Sequence, residues 1–473
     1  MGPALPIAIL TGLLLGGMTV LAPVLAGSNL GNMWLPALLF ALLLLVPVRA
    51  AARALAARPA EVLLVAFVIL FQTAALHTFG PVDANDLLVL GVAAGLLAQA
   101  VVAGRPLVIS PGLILSLPVF AAIVLAATHA GPVGLLGGKQ ILKCILVVFV
   151  FTNLIRDPAA LELAIRAVIT VTAFSALVAI LQELVFVTTG FVATMNIEAD
   201  SLRYLFEETP FGRMFRVTGL NTSYKHFTFF LTSGVLLTVS LLVAGGPRPA
   251  ARRRWLWLAA GLMSAALVLT FSKDALLGLG AGLLLVLLLA RTLNLFQLAV
   301  GGAAVALLLL ATDLGREVGD KIASDIGSGE LRIRLQLARD GIEGIMNQYP
   351  WFGVGVNQSI RYTGDFNNWV PHNNLIVTAA ETGLIGLATY LSLMAYLVYA
   401  AWRTWLQARA PEQSAIALGL LGAAVSVLVS LQFHGLYTVT MLWMLLALVE
   451  VTGSLRQGGA AGAGAEQTGR GRE

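Results

Sequence analysis

Residues 415–432 read AIALGLLGAAVSVLVSLQ, eighteen positions without a charge, flanked by Glu412 before and His434 after. A hydrocarbon core about 30 Å thick takes roughly 17 to 25 apolar residues as helix, so this run is a membrane span. Runs of the same kind recur on both sides of it. They begin near residues 4, 31, 61, 87, 111, 138, 161, 224, 255, 274, 294, 373 and 434, separated by short polar breaks. With no water to satisfy backbone groups inside lipid, each run must be helical. The whole chain therefore reads as an all-α polytopic membrane protein with about 12 to 14 transmembrane helices. The lower count applies if one closely spaced pair, 255–272 with 274–290 or 415–432 with 434–452, is re-entrant.

Composition agrees. Of 473 residues 58% are apolar and 11% charged, against about 25% charged in a soluble domain. The opening stretch Ala4–Ala26 lacks a basic leader and reads as a retained first span. The single cysteine, Cys144, sits in an apolar run, which excludes an internal disulfide and reads as core. Net charge is +5, but the arginines collect in short alternate loops, as topology signals do, so no nucleic-acid partner is expected.

Those arginines orient the chain. Arg49, Arg53, Arg58, Arg105, Arg156, Arg166, Arg248, Arg252 to Arg254, Arg291, Arg403, Arg409, Arg456, Arg470 and Arg472 fall on one side. The positive-inside rule makes that side cytoplasmic, with both termini, and sends the loops 190–223 and 313–371 outside. Every lysine, Lys139, Lys143, Lys225, Lys273 and Lys321, falls at the outer face instead. Three regions are expected: N-terminal spans over 1–190, a second membrane region over 191–452 with a large outer loop at 313–371, and a disordered cytoplasmic tail over 453–473.

Within the outer loop, Glu330–Gln348 reads as a helix closed by Tyr349-Pro350. The strip Trp351-Phe-Gly-Val-Gly-Val356 follows, its glycines permitting tight turns and close approach to a ligand. Pro371-His372-Asn373-Asn374 then joins the loop to an apolar helix. A histidine at that boundary, with an ordinary pKa near 6.5, suits a general base, or it simply caps the helix. Asp83 and Asp86 lie in an outer loop without further metal-ligand spacing and read as solvated turn residues. Gly278, Gly280 and Gly282 read as close helix contacts.

The ordered set Tyr349-Pro-Trp-Phe-Gly-Val-Gly355, His372-Asn373 and Glu381-Thr-Gly-Leu-Ile-Gly386 resembles the signature of the O-antigen ligase and polymerase family. Arg334, Arg216-Val-Thr-Gly219 and Phe271-Ser-Lys-Asp274 extend the resemblance over roughly residues 200 to 450. It implies an inverting, metal-independent glycosyltransferase at the periplasmic face of a bacterial inner membrane, with no cofactor. Its donor would be an undecaprenyl-diphosphate-linked glycan and its acceptor lipid A-core or a growing glycan, with membrane lipids as surroundings.

On that resemblance Arg216, Lys273 and Arg334 contact the donor diphosphate and His372 activates the acceptor hydroxyl. Asn373, Lys225, Arg332, Lys143 and His434 are secondary candidates. Fixed cations beside a departing diphosphate stabilise its developing charge as a metal would. The family most often has Ser-Arg where this chain has Ser272-Lys273, and a lysine offers a point charge rather than a fork. Bland readings stand beside these: Arg216 binding lipid headgroups, Asp274 as a structural partner of Lys273, Lys143 snorkelling outward, and His434 as a hydrogen-bonded packing residue. Ligase and polymerase are alternatives within the family, protein acceptors a third. A transporter would instead show paired halves with helices broken at the midplane; the sequence has no such symmetry.

Overall fold

A computed structural model describes residues 59–72, 78–79, 82–130, 132–192, 205–209, 212–221, 223–292, 330–347, 349–356, 358, 373–434 and 439–469. Its helices are α1 Pro59–Gln72, α2 Ala84–Ala103, α3 Pro111–Ala130, α4 Pro132–Leu154, α5 Pro158–Thr189 and α6 Tyr224–Ala244. They continue with α7 Ala250–Leu269, α8 Lys273–Leu289, α9 Glu330–Asn347, α10 Asn374–Leu406, α11 Pro411–Leu431 and α12 Thr440–Gly469. Every expected span on described residues is a helix; those at 4, 31 and 294 lie outside them. Two short antiparallel hairpins accompany the bundle, β1 Thr78–Phe79 with β2 Val82–Asp83 and β3 Phe206–Thr209 with β4 Gly212–Phe215.

Burial ranks the helices. In their most apolar stretches α6 and α11 are 78% buried and α2 only 22%, so the first two form the centre and the last the periphery. Among the described residues, α2, α5, α6, α10 and α11 are long and apolar enough by themselves to cross a membrane. Small residues set the closest approach. A Cβ on Gly282 would lie 2.7 Å from the Gly422 carbonyl, and one on Gly278 2.5 Å from that of Ser426, so α8 and α11 meet backbone to backbone as expected. Gly280 differs, facing open space. Cys144 is buried in the core, again as read.

The two ends of the bundle have different chemistry. At one end Arg252 pairs with both Glu162 and Glu412 at 2.9 Å, tying the first turns of α7, α5 and α11 together. The other end gathers the start of α2, α4, α6, α8 and α10 with the finish of α5, α7 and α11. Lysines Lys139, Lys143, Lys225 and Lys273 all sit there.

α10 departs from the expected straight span. The Asn374 amide reaches the Tyr390 hydroxyl at 2.8 Å, sixteen positions along the same element. A straight helix would separate them by about 24 Å. The chain instead folds back at Gly383, whose φ of 70° and ψ of −176° are non-helical. The span proper runs from Leu384 to Leu406, and Asn374–Thr382 is a short helix laid back against it. The break needs no polar interruption, because a left-handed glycine can by itself reverse a helix.

α12 continues to Gly469, where a disordered tail was expected from residue 453. A span that has already nucleated the helix lets alanine and glutamine extend it despite the glycines.

Candidate functional site

The strip after α9 explains the break in α10. Freed carbonyls at a helix break are costly in lipid unless another partner reaches them. Here Val354 N donates to Ala380 O and Gly355 N to Glu381 O, both at 2.9 Å, while Leu384 N donates to Pro350 O at 2.7 Å. The glycines expected to approach a ligand therefore approach α10. Gly353, at φ 70°, has no room for a Cβ, which would lie 2.5 Å from both Glu381 O and Thr382 N. Two of the three recognised segments are halves of one backbone joint.

That joint sets the position of the third segment. His372 itself lies outside the described residues, but Asn373 next to it caps α10, its side-chain oxygen accepting from Leu375 N at 3.0 Å and Ile376 N at 3.1 Å. Its amide also donates to Gln432 O at 3.2 Å. Asn373 thus ties the start of α10 to the turn after α11, two residues before His434.

His434 is buried, its Nε2 paired with the Asp274 carboxylate and its ring edge-on to Phe229 at 5.8 Å between centroids. The other Asp274 oxygen accepts from Ser272 Oγ at 2.9 Å. Asp274 therefore serves His434 and Ser272, and Lys273 beside it points outward, exposed. The turn that delivers Asp274 is strained: Phe271 has a φ of 51°, a conformation that costs a non-glycine residue about 1 to 2 kcal/mol.

Arg216 follows the last residue of β4, its backbone N donating to Leu205 O at 2.6 Å, and is half-buried. It pairs with the Glu207 carboxylate, donates to the Tyr224 hydroxyl at 3.0 Å, and lies 5.1 Å over that ring. Burial pulls the guanidinium's pKa down, but the hydrogen bond to Glu207 and the charges of Tyr224 and Glu207 outweigh it, so the net shift is upward and the cation is permanent. The segment behind it is held by α5: Gln182 makes paired bonds of 3.0 and 2.9 Å with Gly219, and Ser175 Oγ accepts from Leu220 N at 3.0 Å. Tyr224 also feels the Asp274 charge, which brings the Arg216 and His434 groups into one electrostatic neighbourhood. His226 similarly feels His434, Lys225 and Lys143.

Of the residues singled out from sequence, Arg216, Asn373, Lys225, Lys143 and His434 converge at this end. Arg332 and Arg334 lie on α9, with side chains outside the described residues. Glu207, Tyr224 and Asp274 were not expected as site members. Asp86 was read as solvated; it is buried, paired with Lys139 at 2.5 Å and Lys143 at 3.0 Å, because it opens α2 directly against α4.

One comparison with known families bears on this end. Residues 258–391 match the family model of O-antigen ligase. The match runs from within α7 through α8 and α9, the strip, the Asn373 cap and the break at Gly383 into the following span, and so takes in the joint described above together with the Asp274 turn. It takes in under a third of the chain and is narrower than the resemblance read from the motifs. The matched segment leaves out Arg216, Lys143 and His434, so their place beside it comes from the fold alone. No curated protein matches the chain.

Proposed function

We propose that the protein is an inverting glycosyltransferase that moves a glycan from undecaprenyl diphosphate to an acceptor hydroxyl at the periplasmic face of a bacterial inner membrane. O-antigen ligation to lipid A-core is the specific reaction, with polymerisation of glycan repeats as the alternative within the family. The observation that supports it is the match to the O-antigen ligase family model, which takes in the Asn373 cap, and the bond from that cap to Gln432, two residues before the His434 that pairs with Asp274. In this reading Arg216, Lys273 and Arg334 hold the diphosphate and His372 takes the acceptor proton.

A cation already paired to Glu207 is oriented before substrate arrives, and its remaining N–H groups can serve phosphate oxygens. Arg216→Lys should therefore raise the KM for donor about tenfold while changing kcat little, because it keeps the charge and loses the fork. Unchanged donor KM would remove Arg216 from the donor site.

The deciding experiment incubates purified protein with an undecaprenyl-diphosphate glycan, with and without lipid A-core, and follows product size on a gel. Transfer to lipid A-core is expected, undiminished by EDTA. Laddering of the donor alone would make the enzyme a polymerase, and loss of transfer on chelation would return a metal to the reaction.

A further inference from the structure

α9 has three faces where a helix between core and water has two. Leu337, Gly341 and Ile345, four positions apart, are buried, and Ile345 packs with Val354, Ala379 and Ala380 of the joint. Gln336, Arg339, Glu343 and Asn347 make a polar, exposed face, along which Arg339 donates to Glu343 at 2.7 Å. Between the two lies a second apolar stripe, Leu335 and Ile342, seven positions apart and 64% and 51% exposed. At 3.6 residues per turn this stripe stands about 110° round the helix from the buried one. Beyond the end of α9 the exposed apolar surface carries on through Tyr349, Trp351 and Phe352.

The joint fixes the height of those aromatics. Ile385 N donates to Trp351 O at 3.4 Å, so Trp351 stands level with the first turn of the span that runs from Leu384 to Leu406. That span exposes a stripe of its own, Ile385, Leu391, Tyr399 and Trp402, on a helix only 33% buried in its most apolar stretch. Aromatic rings therefore close the stripe at both ends, Trp351 beside Ile385 and Trp402 about 26 Å further along the helix. Trp and Tyr gather at the two boundaries of a membrane, and this separation fits a hydrocarbon core of about 30 Å. The boundary at this end passes through the strip, and the exposed stripe of α9 continues from it.

We propose that α9 lies along the membrane surface, with Leu335 and Ile342 in the lipid of the leaflet at this end and the Arg339–Glu343 face in water. Lipid is the occupant because the stripe is continuous with the lipid-facing side of α10 and is bordered by a polar face, the pattern of an interfacial helix. A helix held this way keeps its opening turns, which carry Arg332 and Arg334, at the height of lipid phosphates. Their use on a lipid-linked donor rests on the transferase reading; the placement of α9 does not.

Nitroxide labels on single cysteines test the placement in full-length protein reconstituted in lipid nanodiscs. The buried Cys144 stays in place, its background read from the unsubstituted chain. Oxygen concentrates in lipid and a nickel chelate stays in water, so the ratio of the relaxation each causes reports what surrounds a label. The ratio should exceed unity at Leu335→Cys and Ile342→Cys and fall below it at Arg339→Cys and Glu343→Cys. All four positions are exposed, so these substitutions should leave stability within about 0.5 kcal/mol of wild type. A ratio below unity at Leu335 and Ile342 would put the stripe in water, and shielding from both reagents would put polypeptide against it. Either result overturns the proposal, whatever the protein is found to transfer.

Discussion

Gly383→Ala should leave little or no folded protein in the membrane. The position has φ 70° and ψ −176°, a region open in practice only to glycine, and forcing another residue there costs about 1 to 3 kcal/mol. Space makes matters worse. A Cβ would overlap the carbonyl of Trp351 and crowd the amide of Phe352, and these are backbone atoms that cannot rotate away as a side chain would. Relief requires the strip to withdraw, and with it go the bonds from Val354 N, Gly355 N and to Pro350 O. Losing them strands carbonyls of α10 at a helix break, each costing about 1 to 3 kcal/mol. Together these exceed half of a typical domain's whole stability. Gly353→Ala should behave alike, from the other side of the same joint. Gly280→Ala is the control: it faces open space inside α8, and alanine should be neutral or stabilising by up to about 1 kcal/mol. Thermal unfolding of the three purified variants in detergent measures this, and a Gly383→Ala protein that melts with the wild type would mean that the joint is not as described.

That joint also shows where sequence reading stops. The spans were legible because lipid imposes one requirement on every window, and α9 was legible because Tyr349-Pro350 ends it locally. The fold-back at Gly383 left no such mark. Leu384, Ile385 and Leu387 continue the apolar run straight through it, so hydropathy sees one long helix. Only the strip some thirty residues upstream reveals that the helix is broken, and its glycines on their own suit a ligand equally well. The pairing of Asp274 with His434 spans 160 positions and has no local signature. Glu207 was nearer to reach, nine residues before Arg216, but its facing position depends on the β3–β4 register, which places Glu207 opposite Met214 and Phe206 opposite Phe215. Charges could be assigned to an end of the bundle from sequence; their partners could not.

The second large effect separates the two histidines. His372→Ala should lower turnover by about a thousandfold, within the range of 10² to 10⁴ for losing a positioned general base, while donor binding and the melting temperature stay near wild type. His434→Ala should do the reverse first. Its removal leaves the Asp274 carboxylate, partly buried beside Ser272, without its ring partner, and breaking one side of a buried pair costs about 3 to 5 kcal/mol. A drop in the melting temperature is then the primary result, with activity falling only as folded protein is lost. Asn373→Ala lies between the two. It gives up the cap of α10, about 1 kcal/mol, and the tie to Gln432, so it should lower turnover by misplacing His372 while the chemistry of that ring stays intact. A thousandfold loss in His434→Ala at unchanged melting temperature, with His372→Ala still active, would transfer the base to the His434–Asp274 pair, since a histidine held by a carboxylate is equally able to take a proton.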